Sequence, residues 1–195
     1  MNGQQYYGTK PNMSLGVGHY IVSSNFIKNN KLYFPDGILS VEDASFTIDS
    51  LIAAKKVGYI NVDVYFWIQH PESISHYEGK KKMAEQYNKD RIWFIEKYKK
   101  VLENQSLDTS CFNSIKNQME VQAFALLHNS LRYLPISNSK EFIKQLKDLG
   151  EYPFGKHLVY GWKYTFINKV MNCYSIWIAC CWLFTKIPSF IKRKL

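Results

Sequence analysis

The chain has 195 residues, of which 46% are apolar and 16% aromatic, so it is long and apolar enough to fold around a core. Ten glycines and six prolines exclude a collagen-like or low-complexity chain. The four cysteines have no C-x-x-C spacing and no secretory leader precedes them, which favours free thiols in a reducing compartment.

The net charge of +9 is concentrated in the last quarter of the chain. Residues 1–151 carry 18 basic and 16 acidic side chains, whereas residues 152–195 carry seven basic and no acidic ones. A basic tail of this kind favours a negatively charged partner, either a nucleic acid or an anionic membrane surface.

Residues 1–78 are predicted to combine strands and helices. The first fifteen residues are polar and rich in turn formers, which indicates a loop. Apolar, β-branched and aromatic residues predict strands over 17–22 and 57–68, with a short helical turn over 24–30. A longer helix opens at Ser40, because apolar residues recur beyond it at helical spacing: Phe46, Ile48, Leu51 and Ile52.

Beyond residue 78 the pattern becomes helical. Apolar residues three and four positions apart predict helices over 80–104, 112–133 and 139–149. Asn138 and Glu141 are predicted to form a capping box at the start of the third of these helices, and Gly150 to end it. We therefore divide the chain into residues 1–78, a helical extension over 79–160, and a tail over 161–195.

Two neighbouring acids, Glu42 and Asp43, stand at the start of the helix that opens at Ser40. One interpretation is structural: Ser40 caps the helix, Asp43 completes a capping box, and both carboxylates complement the helix dipole. The other interpretation is catalytic, since a carboxylate that stays ionised at a helix N-terminus beside a cleft can act as a general base. The local pattern fits both.

Four segments between Val17 and His76 occur in a characteristic order, and together they resemble the second half of the catalytic domain of family 2 glycosyltransferases. The resemblance implies the GT-A fold, which is an α/β architecture. It also implies inverting transfer of a sugar from a nucleotide-sugar to an acceptor hydroxyl, with Asp43 as the base and Glu42 beside it. The segments are Ser23–Ile27, Leu32–Ile38, Glu42–Phe46, and Lys55–Ile60 with its continuation through Val64–Trp67 to Ser73–Ser75.

The nucleotide-binding half of that family is not recognisable here, because no Asp-x-Asp string occurs in the 195 residues. The resemblance therefore implies a C-terminal portion that is inactive alone, with Mg²⁺ or Mn²⁺ in the complete enzyme but no tight metal binding by this chain. A late histidine often completes the metal shell in GT-A enzymes, so His76 is the candidate metal ligand. His70, Ser73 and Ser75 are the candidate contacts to the donor phosphates, and a solvated position in a loop is the alternative for the two histidines.

Residues 173–184 are almost wholly apolar, with one serine in twelve positions, and basic residues follow them. A membrane-spanning helix needs about 20 apolar residues, so this stretch is too short to span but suits the membrane interface. Its aromatic side chains are of the types that favour that depth: Tyr174, Trp177, Trp182 and Phe184. A core helix is the alternative. Nucleic-acid binding is not expected, because the seven positive charges are spread over 44 residues.

The resemblance implies the C-terminal portion of an inverting glycosyltransferase in surface polysaccharide biosynthesis. The predicted partners are a nucleotide-sugar donor, a saccharide or lipid-linked acceptor and an anionic membrane surface. The predicted location is cytoplasmic, peripheral on the inner face of the cell membrane. The alternative from another class is a non-catalytic remnant of such an enzyme that binds a membrane or a protein partner.

Overall fold

The computed structural model describes residues 1–10, 13–62, 77–155 and 162–186, and these residues are predominantly helical. A 3₁₀ turn at Val17–His19 accompanies eight α-helices within these ranges. The α-helices are α1 (Gly3–Thr9), α2 (Ser24–Asn29), α3 (Glu42–Ala53), α4 (Tyr77–Asn104), α5 (Thr109–Tyr133), α6 (Ile136–Asp148), α7 (Trp162–Asn172) and α8 (Tyr174–Lys186).

The predicted α/β architecture, the second half of a GT-A domain, is wrong, because the described residues contain no strand. The first predicted strand contains the 3₁₀ turn instead. In the second, residues 57–62 have no regular structure, and residues 63–68 lie outside the described ranges. A strand needs a neighbouring backbone to pair with. Among the described residues, the backbone of 57–62 forms one hydrogen bond with the backbone of another segment, from Val57 N to Met1 O (3.0 Å).

The helical predictions after Ser40 are confirmed by α3, α4, α5 and α6, although the predicted N-cap of α6 differs. Pro135 precedes the first turn of α6, so Asn138 is not its N-cap. Gly150 does end the helix, with φ of +74° and a bond from Glu151 N to Leu146 O (2.8 Å). The predicted N-terminal loop is wrong in part, because Asn2 and Gln5 form a capping box that starts α1.

The chain forms two compact units, and α4 and α5 each contribute one part to each unit. The first unit comprises Met1–Gln69 and Lys97–Gln118, and the second comprises His70–Glu96 and Met119–Leu195.

In the first unit, α1 lies directly against α3 because Gly3 has no side chain. The Gly3 amide donates to Ala54 O (2.8 Å), and a Cβ at this position would lie 2.0 Å from Leu51 O. Tyr7 is fully buried and pairs twice with Ser114 of α5: its hydroxyl donates to Ser114 O (3.4 Å), and its carbonyl accepts from Ser114 Oγ (3.3 Å). Helix α1 is therefore part of the core.

In the second unit, a buried amide network, consisting of Asn88, Asn129 and Ser130, joins α4 to α5. Asn88 Nδ2 donates to Ser130 Oγ (2.8 Å) and to Leu126 O (3.2 Å). Asn129 Nδ2 donates to Asn88 Oδ1 (2.8 Å) and to Ala84 O (2.8 Å). Each of these polar side chains is thus buried with a partner, as a buried amide requires.

The tail helices, α7 and α8, also belong to the second unit, and α8 packs against both α6 and α7. Trp177 and Cys181 are buried, with Cys181 Sγ 3.8 Å from Ser139 Oγ of α6. The expectation that Trp177 faces a membrane interface is therefore wrong, since this side chain belongs to the core. Other apolar side chains of the tail helices are exposed: Phe166, Ile167, Tyr174, Ile176, Trp182 and Leu183. No described helix is both long and apolar enough to cross a membrane.

Candidate functional site

The acidic pair occupies the first turn of α3. The helix begins at Glu42, and its N-cap is Val41, which forms no side-chain capping bond. The predicted capping box from Ser40 to Asp43 is therefore absent. Glu42 and Asp43 are both partly exposed. At this end of a helix each carboxylate complements the positive end of the dipole, an effect of about 0.3–1 kcal/mol.

The residues directly behind the acidic pair are buried, which fixes the orientation of this turn. Ser45, Phe46, Thr47 and Ile48 are all buried. The Phe46 ring stacks on Phe34 with centroids 4.4 Å apart and an interplanar angle of 3°, and Thr47 Oγ1 donates to Leu15 O (3.0 Å). Loop segments that precede α3 in the sequence thus hold it in place. Asp43 is partly exposed in this turn, whereas Glu42 Oε2 is buried.

A second carboxylate site lies two turns further along α3, where a clamp of Ser45, Asp49, Lys97 and Tyr98 joins α3 to α4. Lys97 Nζ lies 2.5 Å from Asp49 Oδ2 and 2.7 Å from Ser45 Oγ. The Tyr98 hydroxyl lies 3.0 Å from both Asp49 Oδ1 and Ser45 O. Burial, followed by the negative charge of Asp49, raises the pKa of Tyr98 well above its usual value.

The clamp was not predicted, although the spacing of polar residues in α3 is one signal of it. Ser45 and Asp49 follow Glu42 by three and seven positions, so these polar side chains lie on one face of α3. Both Asp49 oxygens are engaged within the clamp. Both aspartates are partly exposed, but Asp43 lies at the helix N-terminus outside the clamp, so it is the better placed of the two to meet a ligand.

The remaining predicted site residues, His70, Ser73, Ser75 and His76, lie outside the described residues. In the described ranges, no three His, Cys, Asp or Glu side chains come close enough together to hold a metal ion. Glu42 and Asp43 supply two carboxylates only, so they do not form a divalent-metal site by themselves.

Comparisons of the chain with protein-family models, curated proteins and solved structures give no match. The resemblance to family 2 glycosyltransferases therefore stays a prediction that depends on the four quoted segments.

Proposed function

We propose that this chain supplies the acceptor-side base of an inverting glycosyltransferase in surface polysaccharide biosynthesis. The observation that supports the proposal is the position of Asp43, a partly exposed carboxylate in the first turn of a helix whose following residues are buried. Asp43 lies outside the clamp in which Lys97 and Tyr98 engage Asp49 on the same helix.

In the proposed reaction, Asp43 accepts the proton of an acceptor hydroxyl while the hydroxyl oxygen forms a bond to the anomeric carbon of the donor sugar. The bond from that carbon to the nucleoside diphosphate breaks on the opposite side, and the diphosphate leaves with the electron pair. The anomeric configuration is thereby inverted. Because the 195 residues contain no Asp-x-Asp, the proposal assigns the donor and its Mg²⁺ or Mn²⁺ to other residues.

The proposal is tested first by acceptor binding to the purified chain. We expect that at least one member of a panel of simple glycosides shifts the backbone amide resonances of residues 42–45 in an NMR titration. We also expect that the chain alone releases no nucleoside diphosphate from nucleotide-sugars. If no glycoside shifts these resonances, the acidic pair stabilises the helix end and the glycosyltransferase proposal fails.

We further propose that the tail helices bind an anionic membrane surface from one side. Three observations in the described residues support this second proposal. Phe166, Trp182 and Leu183 are more than half exposed. Helices α7 and α8 carry lysines and no acidic residue. The Lys186 ammonium lies 5.6 Å from the Trp182 ring centroid, which places a charge beside an exposed indole. Near an anionic leaflet each such lysine contributes about 1 kcal/mol.

Vesicle co-sedimentation tests this membrane proposal. We expect the chain to bind anionic vesicles more tightly than neutral ones, and Trp182→Ala to weaken the binding because it removes an apolar ring from the interface. Tyr33→Ala is the matched control, since Tyr33 is an exposed aromatic residue of the first unit. Equal binding by Trp182→Ala and the unaltered chain contradicts the assignment of the surface to α8.

A further inference from the structure

Helix α8 is apolar on both of its faces, although the described residues cover only one of them. Among its thirteen residues the strongly polar side chains are Ser175, Thr185 and Lys186. Trp177 and Cys181, four positions apart, are buried and define the face that is directed towards the core. A helix that is apolar all round is normally buried on every side. The composition of α8 therefore indicates that its other face also has a partner.

The centre of that other face is Ala179, which is exposed and lies two positions from both Trp177 and Cys181. Two positions correspond to a rotation of about 200°, so Ala179 is on the opposite side of the helix from both buried residues. Three large apolar side chains surround it and are each more than half exposed, so they form with Ala179 a surface that we call the outer face: Ile176 (51%), Trp182 (53%) and Leu183 (58%).

The charge beside the outer face indicates which partner fits it. Lys186 is the one charged residue of α8, and its ammonium lies 5.6 Å from the Trp182 ring centroid. No acidic residue follows Glu151 in the sequence. Two copies of α8 packed face to face would bring only positive charges together, whereas an anionic surface complements them. The charge therefore favours an anionic bilayer over a second copy of the chain.

The length of α8 and the residues at its ends restrict how the helix can enter a bilayer. Its thirteen residues extend over about 20 Å, less than the ~30 Å of a hydrocarbon core. Entry by the C-terminal end would bury the Lys186 charge, which is costly in hydrocarbon. Entry by the N-terminal end would draw in Asn172 of α7, because Cys173 is the one residue between the two helices. A helix axis along the membrane surface immerses the outer face and keeps both ends in the polar layer.

We propose that α8 lies parallel to the plane of an anionic bilayer, with its outer face immersed about 5–10 Å into the boundary between headgroups and acyl chains. Ala179 is at the deepest point of this contact, Lys186 reaches the headgroup phosphates, and Trp177 and Cys181 remain on the protein side. The inference rests on the proposed membrane binding by the tail helices. It adds the face, the orientation and the depth, none of which follows from binding alone.

The main experiment compares two variants of equal charge on vesicles of phosphatidylcholine and phosphatidylglycerol. Ala179→Glu places a carboxylate at the centre of the outer face. Thr185→Glu places one at an exposed position six residues later, about 120° away around the helix. Attraction that depends on charge alone weakens equally in both variants, whereas immersion of the outer face makes Ala179→Glu the more harmful.

We expect vesicle affinity in co-sedimentation to fall at least tenfold in Ala179→Glu and less than threefold in Thr185→Glu. Circular dichroism verifies that both variants are folded. Equal losses in the two variants overturn the inference while leaving membrane binding intact. Failure of the unaltered chain to bind these vesicles refutes the membrane proposal, and the inference with it.

Trp182 fluorescence measures the depth directly. The quenching of Trp182 by lipids brominated at shallow or deep acyl carbons is obtained as the difference between the unaltered chain and Trp182→Phe, since the chain has five tryptophans. We expect the shallow bromines to quench more strongly. Stronger quenching by the deep bromines contradicts the parallel orientation, and no quenching at either depth contradicts immersion of the outer face.

The oligomeric state distinguishes a bilayer from a second copy of the chain as the partner of the outer face. We expect the unaltered chain to be monomeric in analytical ultracentrifugation without vesicles. A dimer that Ala179→Glu dissociates overturns the inference, because the second copy then covers the outer face.

Discussion

The two aspartates of α3 show how surroundings decide what the same side chain can do. Asp49 lies against Lys97 and Tyr98, and both of its oxygens are engaged in holding α3 to α4. Asp43 lies six positions earlier in the first turn, partly exposed. Asp49 is thus a structural residue, and Asp43 is the one that we propose to be chemically active.

In the glycosyltransferase that we propose, Asp43→Asn should lower kcat by about 10²–10⁴-fold, the contribution of a general base. The fold should persist, because Asp43 forms no helix cap and an amide costs only the dipole term of about 0.3–1 kcal/mol. Steady-state kinetics with the cognate donor measure the effect. Asp36→Asn, an exposed acid in the preceding turn, is the control. Normal turnover in Asp43→Asn together with an inactive Glu42→Gln moves the base to Glu42.

Tyr98 should make the chain sensitive to alkali. Its pKa is raised in the folded state, so the unfolded chain loses this proton first as the pH rises above about 10. The stability that neutral Tyr98 contributes is complete below pH 10 and is lost at higher pH. We expect Tyr98→Phe to make the decline of unfolding free energy between pH 10.5 and 11.5 shallower by about 1.4 kcal/mol per pH unit.

Urea denaturation at several pH values measures that slope. Tyr33→Phe is the control because Tyr33 is exposed. An unchanged slope in Tyr98→Phe contradicts the burial of this phenol.

Sequence alone was enough to locate the acidic pair at a helix N-terminus, because the signal is local. It could not locate the clamp, since Asp49 and Lys97 are 48 positions apart and only the packing of α3 on α4 brings them together. The close approach of Gly155 to the Asn168 amide likewise joins residues thirteen positions apart.

At the scale of elements, helices were predictable and extended segments were not. Helices α3 to α6 carry their periodicity within each segment, so composition and spacing predict them without reference to the rest of the chain. Residues 57–62 are rich in strand formers, but a strand also requires a paired neighbour, which sequence does not specify. Helix α1 was not predicted because its sequence is short and polar. Its capping box and its packing on α3 stabilise the helix, and the packing is not visible in the sequence.

Gly3→Ala should separate α1 from α3. The new Cβ would lie 2.0 Å from Leu51 O, a backbone atom that cannot move aside as a side chain does. We expect a loss of about 1–3 kcal/mol in unfolding free energy, as for an overpacked core, despite the better helix propensity of alanine. The matched control is Gly58→Ala, where a Cβ meets no atom within 4 Å. Equal stability of the two variants contradicts this packing.

Replacement by alanine should affect a different property at each of the two tryptophans of α8, stability at one and vesicle binding at the other. Trp177 is 2% exposed, so Trp177→Ala should cost about 3–5 kcal/mol of stability in urea denaturation. Trp182 is 53% exposed, so Trp182→Ala should leave stability almost unchanged and act on vesicle binding. If instead Trp182→Ala unfolds the chain, α8 is a core helix on both faces.

At the scale of the whole molecule, the charge is distributed so that one end of the chain is strongly basic. Residues 152–195 contribute seven of the nine net positive charges. Exposed charges act over about 10 Å at 0.1 M salt and about 3 Å at 1 M. Attraction to an anionic surface should therefore depend steeply on ionic strength, whereas burial of apolar rings should not.

We expect binding to anionic vesicles to weaken at least tenfold between 50 and 500 mM NaCl, with a residual affinity from the exposed aromatic residues. Co-sedimentation at fixed lipid concentration measures both the salt-sensitive affinity and the residual affinity. A 20-base-pair DNA duplex under the same conditions tests the nucleic-acid alternative. Tighter binding to the duplex than to vesicles at 150 mM NaCl contradicts a membrane role for the basic tail.

The buried amide network selects a single alignment of α4 and α5 in the second unit. Sliding one helix along the other by a turn, about 5.4 Å, would take the Asn129 amide away from Asn88 Oδ1 and leave both groups buried without partners. Leucines in those positions would tolerate such a slip. The asparagines thus specify the register of the two helices. They are satisfied in one alignment and unsatisfied in alignments shifted by a turn, whatever their net contribution to stability.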